Sequence, residues 1–336
     1  MRPFAYARPK RMKEAFDLLA AGGCPKGGGY DLLDLAKGGH PTPSILVDMR
    51  GIEEGRMSFK VIVAADAHLE IGCTTTLADL VASPELGKVS PVLADAAASA
   101  ATPQVRNVAT VAGNLLQRPR CPYFRDLYFD CLKRGGRTCP AMEGDHGEGA
   151  VFGNSKCCAT HPSNLATALL AMDAVLHLRS LRRGEVDVGK MDMRTIRAAE
   201  FFVTPEEDPS RENRLQPGEV IAAITSDHCP ASAYVEVDQK QSFDWASASA
   251  AVALQMEGAK VKSARVALGA VAPVPLLSEA AAKALEGKVP DEKAAEAASE
   301  AAVKGATPLR DNGHKVQHLR VCVKRAVLKA AERGRR

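Results

Sequence analysis

Five of the nine cysteines, Cys121, Cys131, Cys139, Cys157 and Cys158, crowd into one stretch with the spacing Cys-x9-Cys-x7-Cys-x17-Cys-Cys. Thiolates in a group of four select zinc, copper(I) or an iron–sulfur cluster, because all three favour sulfur donors over oxygen. Structural zinc sites use tight Cys-x2-4-Cys knuckles, and this stretch has none. Long, irregular spacings suit a four-iron cubane, whose separated irons can be reached from different loops. Pro122, Gly135, Gly136, Pro140, Gly144, Gly147 and Gly149 would let the chain wrap such a group. The same spacing also fits unligated thiols, or a vicinal disulfide at Cys157–Cys158, which a reducing cytosol disfavours. Neighbouring side chains diverge in extended chain, so one of this pair ligates a cluster, and spacing leaves open which. Cys24, Cys73, Cys229 and Cys322 are scattered and read as small buried hydrophobes.

A second candidate for chemistry is the run Gly27, Gly28, Gly29 before the helical pattern YDLLDLAK. Consecutive glycines let backbone N–H groups approach a ligand, and a following helix start favours a phosphate. A plain turn has the same signature. His161, His177, His228 and His314 show no spacing to Ser or Asp that would read as a triad, and they are taken as structural.

The elements that must position these groups follow from periodicity. An extended piece at the N-terminus precedes an amphipathic helix from Met12, with Ala15, Phe16, Leu18 and Leu19 apolar. ILVDMR (45–50) and FKVIVAADAHLEIGC (59–73) read as strand-like. TTTLADLVAS is a helix that Thr74, Thr75 or Thr76 can cap, and VSPVLADAAASAA is a helix of small residues. ATPQVRNVATVAGNLLQ alternates turn-like and extended character, with Gly113 and Asn114 at its tight point. HPSNLATALLAMDAVLHL is an apolar helix entering a strand. Residues 206–218 are a polar connector, beyond which strands and then three Ala-rich or amphipathic helices form an α+β unit.

With 336 residues, 46% hydrophobic and 25% charged, the chain suits two to three domains. A formal charge of +4 is too mild to imply nucleic acid. No apolar run approaches the roughly 18 residues of a membrane span. MRPFAYARPKRMKEAF lacks the apolar region of a secretory signal, so a cytoplasmic location is expected, with co-export on a partner's signal left open. The basic stretch VKRAVLKAAERGRR reads as a helix with a solvated cationic face.

Five segments, in order, resemble the FAD-binding (medium) subunits of the xanthine dehydrogenase and carbon monoxide dehydrogenase group, the molybdenum hydroxylases. They are GGGYDLLDLAKGG, IGCTTTLADL, TPQVRNVATVAGNLLQ, SAAVALQMEGAKVKSARVALGAVAP and GATPLRDNGHKVQHLRVCVKRAVL. The cysteine-rich insert narrows the resemblance to the branch of aldehyde oxidoreductases and hydroxybenzoyl-CoA reductases, whose flavin subunit carries an extra [4Fe–4S] cluster.

That resemblance implies an α+β chain: a vanillyl-alcohol-oxidase-type FAD domain at 1–225, in subdomains of about 1–55 and 56–225 with the insert at 118–160, and a C-terminal domain at 226–336. The absence of GxGxxG agrees with a non-Rossmann flavin site. By position, Gly27, Gly28, Gly29, Tyr30, Asp31 and Leu32, with Thr110, Val111, Ala112, Gly113 and Asn114, would hold the diphosphate and ribityl groups. Ala100 would lie against the flavin, Ile221 by the adenine, and Asn164 at the cofactor. Cys121, Cys131, Cys139 and, by its place before ATHP, Cys157 would hold the cluster, with Cys158 spare. Tyr30, Asn164 and Glu236 stand where the family usually has Thr, Asp and Lys.

The resemblance implies no general acid or base in this chain. Substrate chemistry would take place on a molybdenum cofactor in a large partner subunit. Electrons would pass through two [2Fe–2S] centres of a small partner, and flavin would hand them on to an external acceptor. The competing readings are a stand-alone flavoprotein oxidase and a scaffold subunit with structural zinc.

Overall fold

The structure, a computed structural model, describes residues 1–54, 57–65, 67–180, 192–240 and 243–335. Strands β1 (Ala5–Ala7), β2 (Cys24–Lys26) and β3 (Ile45–Asp48) form a parallel sheet in the order β1-β3-β2. Parallel neighbours need crossovers, which α1 (Met12–Ala20) and α2 (Tyr30–Lys37) supply. Met12, Ala15, Phe16 and Leu19 are the buried face of α1, the spacing of one helical stripe. Gly29 opens α2 at φ 85°, a conformation cheap only for glycine.

After the short pair β4 (Glu53–Glu54) and β5 (Met57–Ser58), strands β6 (Ile62–Ala65) and β7 (His68–Gly72) begin the second unit. Helices α3 (Leu77–Ala82), α4 (Pro84–Val89), α5 (Pro91–Ser99), α6 (Pro103–Arg106) and α7 (Val111–Leu115) follow. The cysteine-rich segment contains α8 (Pro122–Arg125). Then come α9 (Asn164–Ala171), β8 (Val175–Ser180), β9 (Asp192–Arg197), α10 (Ala198–Phe201) and β10 (Val220–Asp227). The sheet is antiparallel with order β6-β7-β10-β8-β9.

Two local expectations change here. The run 59–73 contains a hairpin, β6 against β7, with Ala67 at φ 66° in the turn. Fully extended it would reach roughly 50 Å, at about 3.3 Å per residue, far beyond the neighbouring strands. The segment 101–117 is not extended: Thr102 and Thr110 each cap a short helix, accepting from Val105 N and Gly113 N. Gly113 and Asn114 therefore lie inside α7. A threonine cap satisfies N–H groups that an extended chain would leave to water.

The chain leaves the second sheet after Asp227 and builds an antiparallel sheet of β11 (Ser232–Asp238), β12 (Ala246–Glu257), β13 (Lys260–Gly269) and β14 (Leu276–Leu277). Helices α11 (Glu279–Leu285), α12 (Glu292–Ala302) and α13 (His314–Gly334) complete it. Side chains alternate across a strand, and both faces of β12 are buried. Ala248, Ala250 and Val252 pack with Cys322, Val323 and Ala326 of α13, while Ala251 joins the core that holds α5 and α9. Small residues let three layers stack closely. The basic end of α13 turns back onto the second unit, where Arg333 and Lys329 pair with Asp95 of α5. No described helix is long and apolar enough to cross a membrane.

Candidate cofactor site

The two glycine-containing loops abut. A Cβ added at Gly28 would lie 2.9 Å from the carbonyl carbon of Val108 and 3.0 Å from Cα of Ala109. One at Gly27 would meet Thr110, whose Cγ2 is 3.3 Å away. Beneath the first loop the buried Lys26 ammonium donates to Gly27 O (3.1 Å) and lies 3.7 Å from Asp48, which also binds Arg50 and accepts from Tyr6. Those donors hold the Asp48 carboxyl below its ordinary range despite burial, which by itself acts upward. Tyr30, at the start of α2, is 49% exposed. Asp31 accepts from the backbone N of Arg118 and pairs with Arg120 and Arg125, so the first loop is tied to the entry of the cysteine segment.

Asn114 carries the second loop onward: its Oδ1 accepts from Ser163 Oγ at 2.6 Å, and Ser163 caps α9. Ser163 and Asn164 border a cavity of about 310 Å³ between the cysteine segment, α9 and the C-terminal sheet. Arg120, Cys158, His161, Tyr234 and Trp245 also line it. Arg120 stacks over the Trp245 ring at 4.7 Å, so the wall joins the cysteine segment to the C-terminal unit. Ala100 is buried at the end of α5, and Arg106 donates to its carbonyl (2.9 Å). Ile221 is 2% exposed within the second sheet, paired with Leu178 in the core.

On one wall, Tyr234 Oη donates to Glu236 at 2.7 Å and Asn164 Nδ2 donates to the same oxygen at 2.6 Å. Burial pushes the Glu236 carboxyl up to about 7, against the pull of these two donors. On another, burial pushes His161 down to about 3, so its ring is neutral. Its Nδ1 accepts from Ser163 N (3.3 Å), which leaves the proton on Nε2, and that buried atom has no partner. A buried donor of this kind calls for an acceptor, and none is present among the described residues.

The cysteine segment is wrapped and anchored. Arg134 donates to the carbonyls of Tyr123, Phe124 and Phe129, and Lys133 to Glu212 and Pro209 O. Asn312 binds Gly149 O and Ala150 O from the C-terminal unit. Inside, Cys131, Cys157 and Cys158 are buried. Cys139 shares hydrogen bonds with both Cys157 and Cys158, which pulls its thiol far down and pushes theirs up. Cys121 feels Cys131 and Cys139 electrostatically. Cys121, Cys139, Cys157 and Cys158 thus act on one another, with Cys131 beside Cys121. Among the described residues, no three His, Cys, Asp or Glu side chains converge on a point that a single metal ion could occupy.

Residues 2–225 match the family described as FAD binding domain in molybdopterin dehydrogenase, and residues 232–332 match the CO dehydrogenase flavoprotein C-terminal domain. The chain belongs to this flavoprotein family. It is 37% identical to the aldehyde oxidoreductase FAD-binding subunit PaoB of Escherichia coli, over 84% of this chain and 85% of that one. It is 28% identical to the carbon monoxide dehydrogenase medium chain of Hydrogenophaga pseudoflava, over 92% and 88%. A solved carbon monoxide dehydrogenase from that organism superposes with a TM-score of 0.73, covering 99% of this chain and 98% of the other. The relatives are oxidoreductase subunits, and so is this chain.

Sequence reasoning put the two loops, Asn164 and the cysteines on the page. It missed Tyr234, His161, Arg120 and Trp245 as cavity walls. Of these, only His161 carried a signal, its place three residues after Cys158.

Proposed function

We propose that this chain is the FAD- and [4Fe–4S]-carrying electron-transfer subunit of a molybdenum hydroxylase. Its partners would be a large molybdenum-cofactor subunit and a small subunit with two [2Fe–2S] centres, from which it passes electrons to an external acceptor. The observation that carries this reading is a wrapped segment holding five free cysteines, two of which, Cys121 and Cys158, line the cavity of an FAD-family chain.

The residues fit both groups. Gly27 abuts Thr110 and Gly28 abuts Val108 and Ala109, an approach that a Cβ would block; the candidate cofactor residues are Gly27, Gly28, Gly29, Tyr30, Asp31 and Leu32 with Thr110, Val111, Ala112, Gly113 and Asn114. These would hold the diphosphate and ribityl groups. Asn164 and Ala100 would border the ring and Ile221 would serve the adenine end, in a vanillyl-alcohol-oxidase-type domain of two subdomains, about 1–55 and 56–225. Cys121, Cys131, Cys139 and Cys157 would supply four thiolates. A cubane places each thiolate on a separate iron. When bound, flavin exchanges electrons singly and in pairs, and the cluster exchanges them singly. The protein's own contribution would be to hold both groups in one anchored region: Arg134 and Lys133 fix the wrapping chain, while Arg120 and Trp245 form part of the wall.

The test is the absorption spectrum of the purified chain with iron and acid-labile sulfide analysis, before and after dithionite. Flavin bands over a broad bleaching absorbance, with about four irons per chain, are expected. Flavin without iron overturns the cluster and favours a stand-alone oxidase; a colourless zinc protein leaves only a scaffold.

A further inference from the structure

Glu236 is a half-buried carboxylate that forms no ion pair among the described residues. Its hydrogen bonds come from Tyr234 and Asn164, both of which line the cavity. The groups that act on it directly are Tyr234, Asn164 and the acidic Asp238. Asp238 on the same strand repels it, and Asp244, on the cavity wall, acts in turn on Asp238. Ser249 faces it across β12, and Cys322 faces it from α13, where Arg325 also acts on that thiol. A charge placed in the cavity therefore lies two polar side chains from Glu236, and partial burial strengthens the coupling between them.

We infer that Glu236 binds a proton when a flavin held in this cavity is reduced and releases it on reoxidation, so that this chain couples electron passage to proton exchange. The inference rests on the flavin reading above. Reduction by two electrons from an iron–sulfur donor, with uptake of one proton by the ring, leaves an anionic flavin. Glu236 carboxylate then takes a second proton from solvent to become the carboxylic acid, because a nearby negative charge favours its neutral form. On reoxidation the ring loses two electrons and one proton, and Glu236 loses the other. Its ordinary poise near 7 allows the change to occur at neutral pH.

The experiment is redox titration of the flavin in the intact complex between about pH 6 and 9, with infrared difference spectra of reduced minus oxidised protein, on wild type and Glu236→Gln. Each proton taken up with two electrons moves the midpoint by about 30 mV per tenfold change in proton activity. Wild type is expected to approach two such increments per pH unit near neutrality, and to gain a protonated-carboxyl C=O absorption on reduction. Glu236→Gln keeps both hydrogen bonds, and is expected to lose the carboxyl signal and one increment. A reduced wild-type protein with no carboxyl gain, or a variant with the wild-type pH profile and signal, overturns the inference while leaving flavin binding intact. Wild-type protein that holds no flavin overturns both.

Discussion

A single methyl group at Gly28 tests whether the two loops form one cradle. In Gly28→Ala the new carbon would lie 2.9 Å from the carbonyl carbon of Val108, 3.0 Å from Cα of Ala109, and closer still to Val108 O. All three are backbone atoms, so no side chain can swing aside and the first loop must lift off the second. Overpacking of this kind costs about 1–3 kcal/mol. If about 2 kcal/mol of that is also lost from cofactor binding, FAD affinity falls roughly thirtyfold at about 1.4 kcal/mol per factor of ten. Gly87→Ala is the control, because nothing lies within 4 Å of its added carbon and it sits inside α4. It should gain roughly 0.5–1 kcal/mol. Urea unfolding gives the stability term. FAD titration can be followed by quenching of Trp245, the chain's single tryptophan, on the cavity wall. A Gly28→Ala protein that unfolds and binds FAD like wild type refutes the abutting-loop argument.

Cys157→Ala is expected to purify with its iron largely lost, whereas Cys158→Ala keeps about four irons per chain; iron analysis of the two side by side decides, and the reverse result reassigns the ligand. Asp48→Ala should destabilise by about 3–5 kcal/mol in urea unfolding, since it strands the buried Lys26 ammonium; a loss below about 1 kcal/mol would mean surface-pair behaviour. The Asp95 carboxyl is held low by Arg333 and Lys329 against its own burial. Its contribution is therefore present above the unfolded carboxylate value of about 3.9 and lost as pH falls through the lower folded value. Asp95→Asn should flatten the acid limb of stability against pH, and an unchanged limb contradicts the assignment. Arg120→Ala removes the cation over Trp245; a shift in tryptophan emission is expected, and an emission spectrum identical to wild type counts against that stacking in solution.

Cysteine spacing announced a sulfur site because a wrapping loop is local: its glycines, prolines and thiols are read together along one stretch. Helices α1 and α12 were legible because one buried stripe repeats with the helical period. The hairpin within 59–73 was harder, since a strand-like composition does not say where the chain must reverse to stay within its sheet. Likewise Thr102 and Thr110 were readable as caps only once a helix behind them was known.

By itself, then, the sequence determined the strongly periodic elements, the glycine loops and the sulfur-rich segment, all of which are read along short stretches of chain. Tertiary structure alone decided what those parts enclose. Asn164 meets Glu236 across 72 positions, Asp31 meets Arg125 across 94, and Asp95 meets Arg333 across 238. Such pairings are set by sheet register and by how the C-terminal layers stack on the first two units. No local period or propensity carries that information, because the energy of each contact depends on a partner brought near only by the packing of everything between.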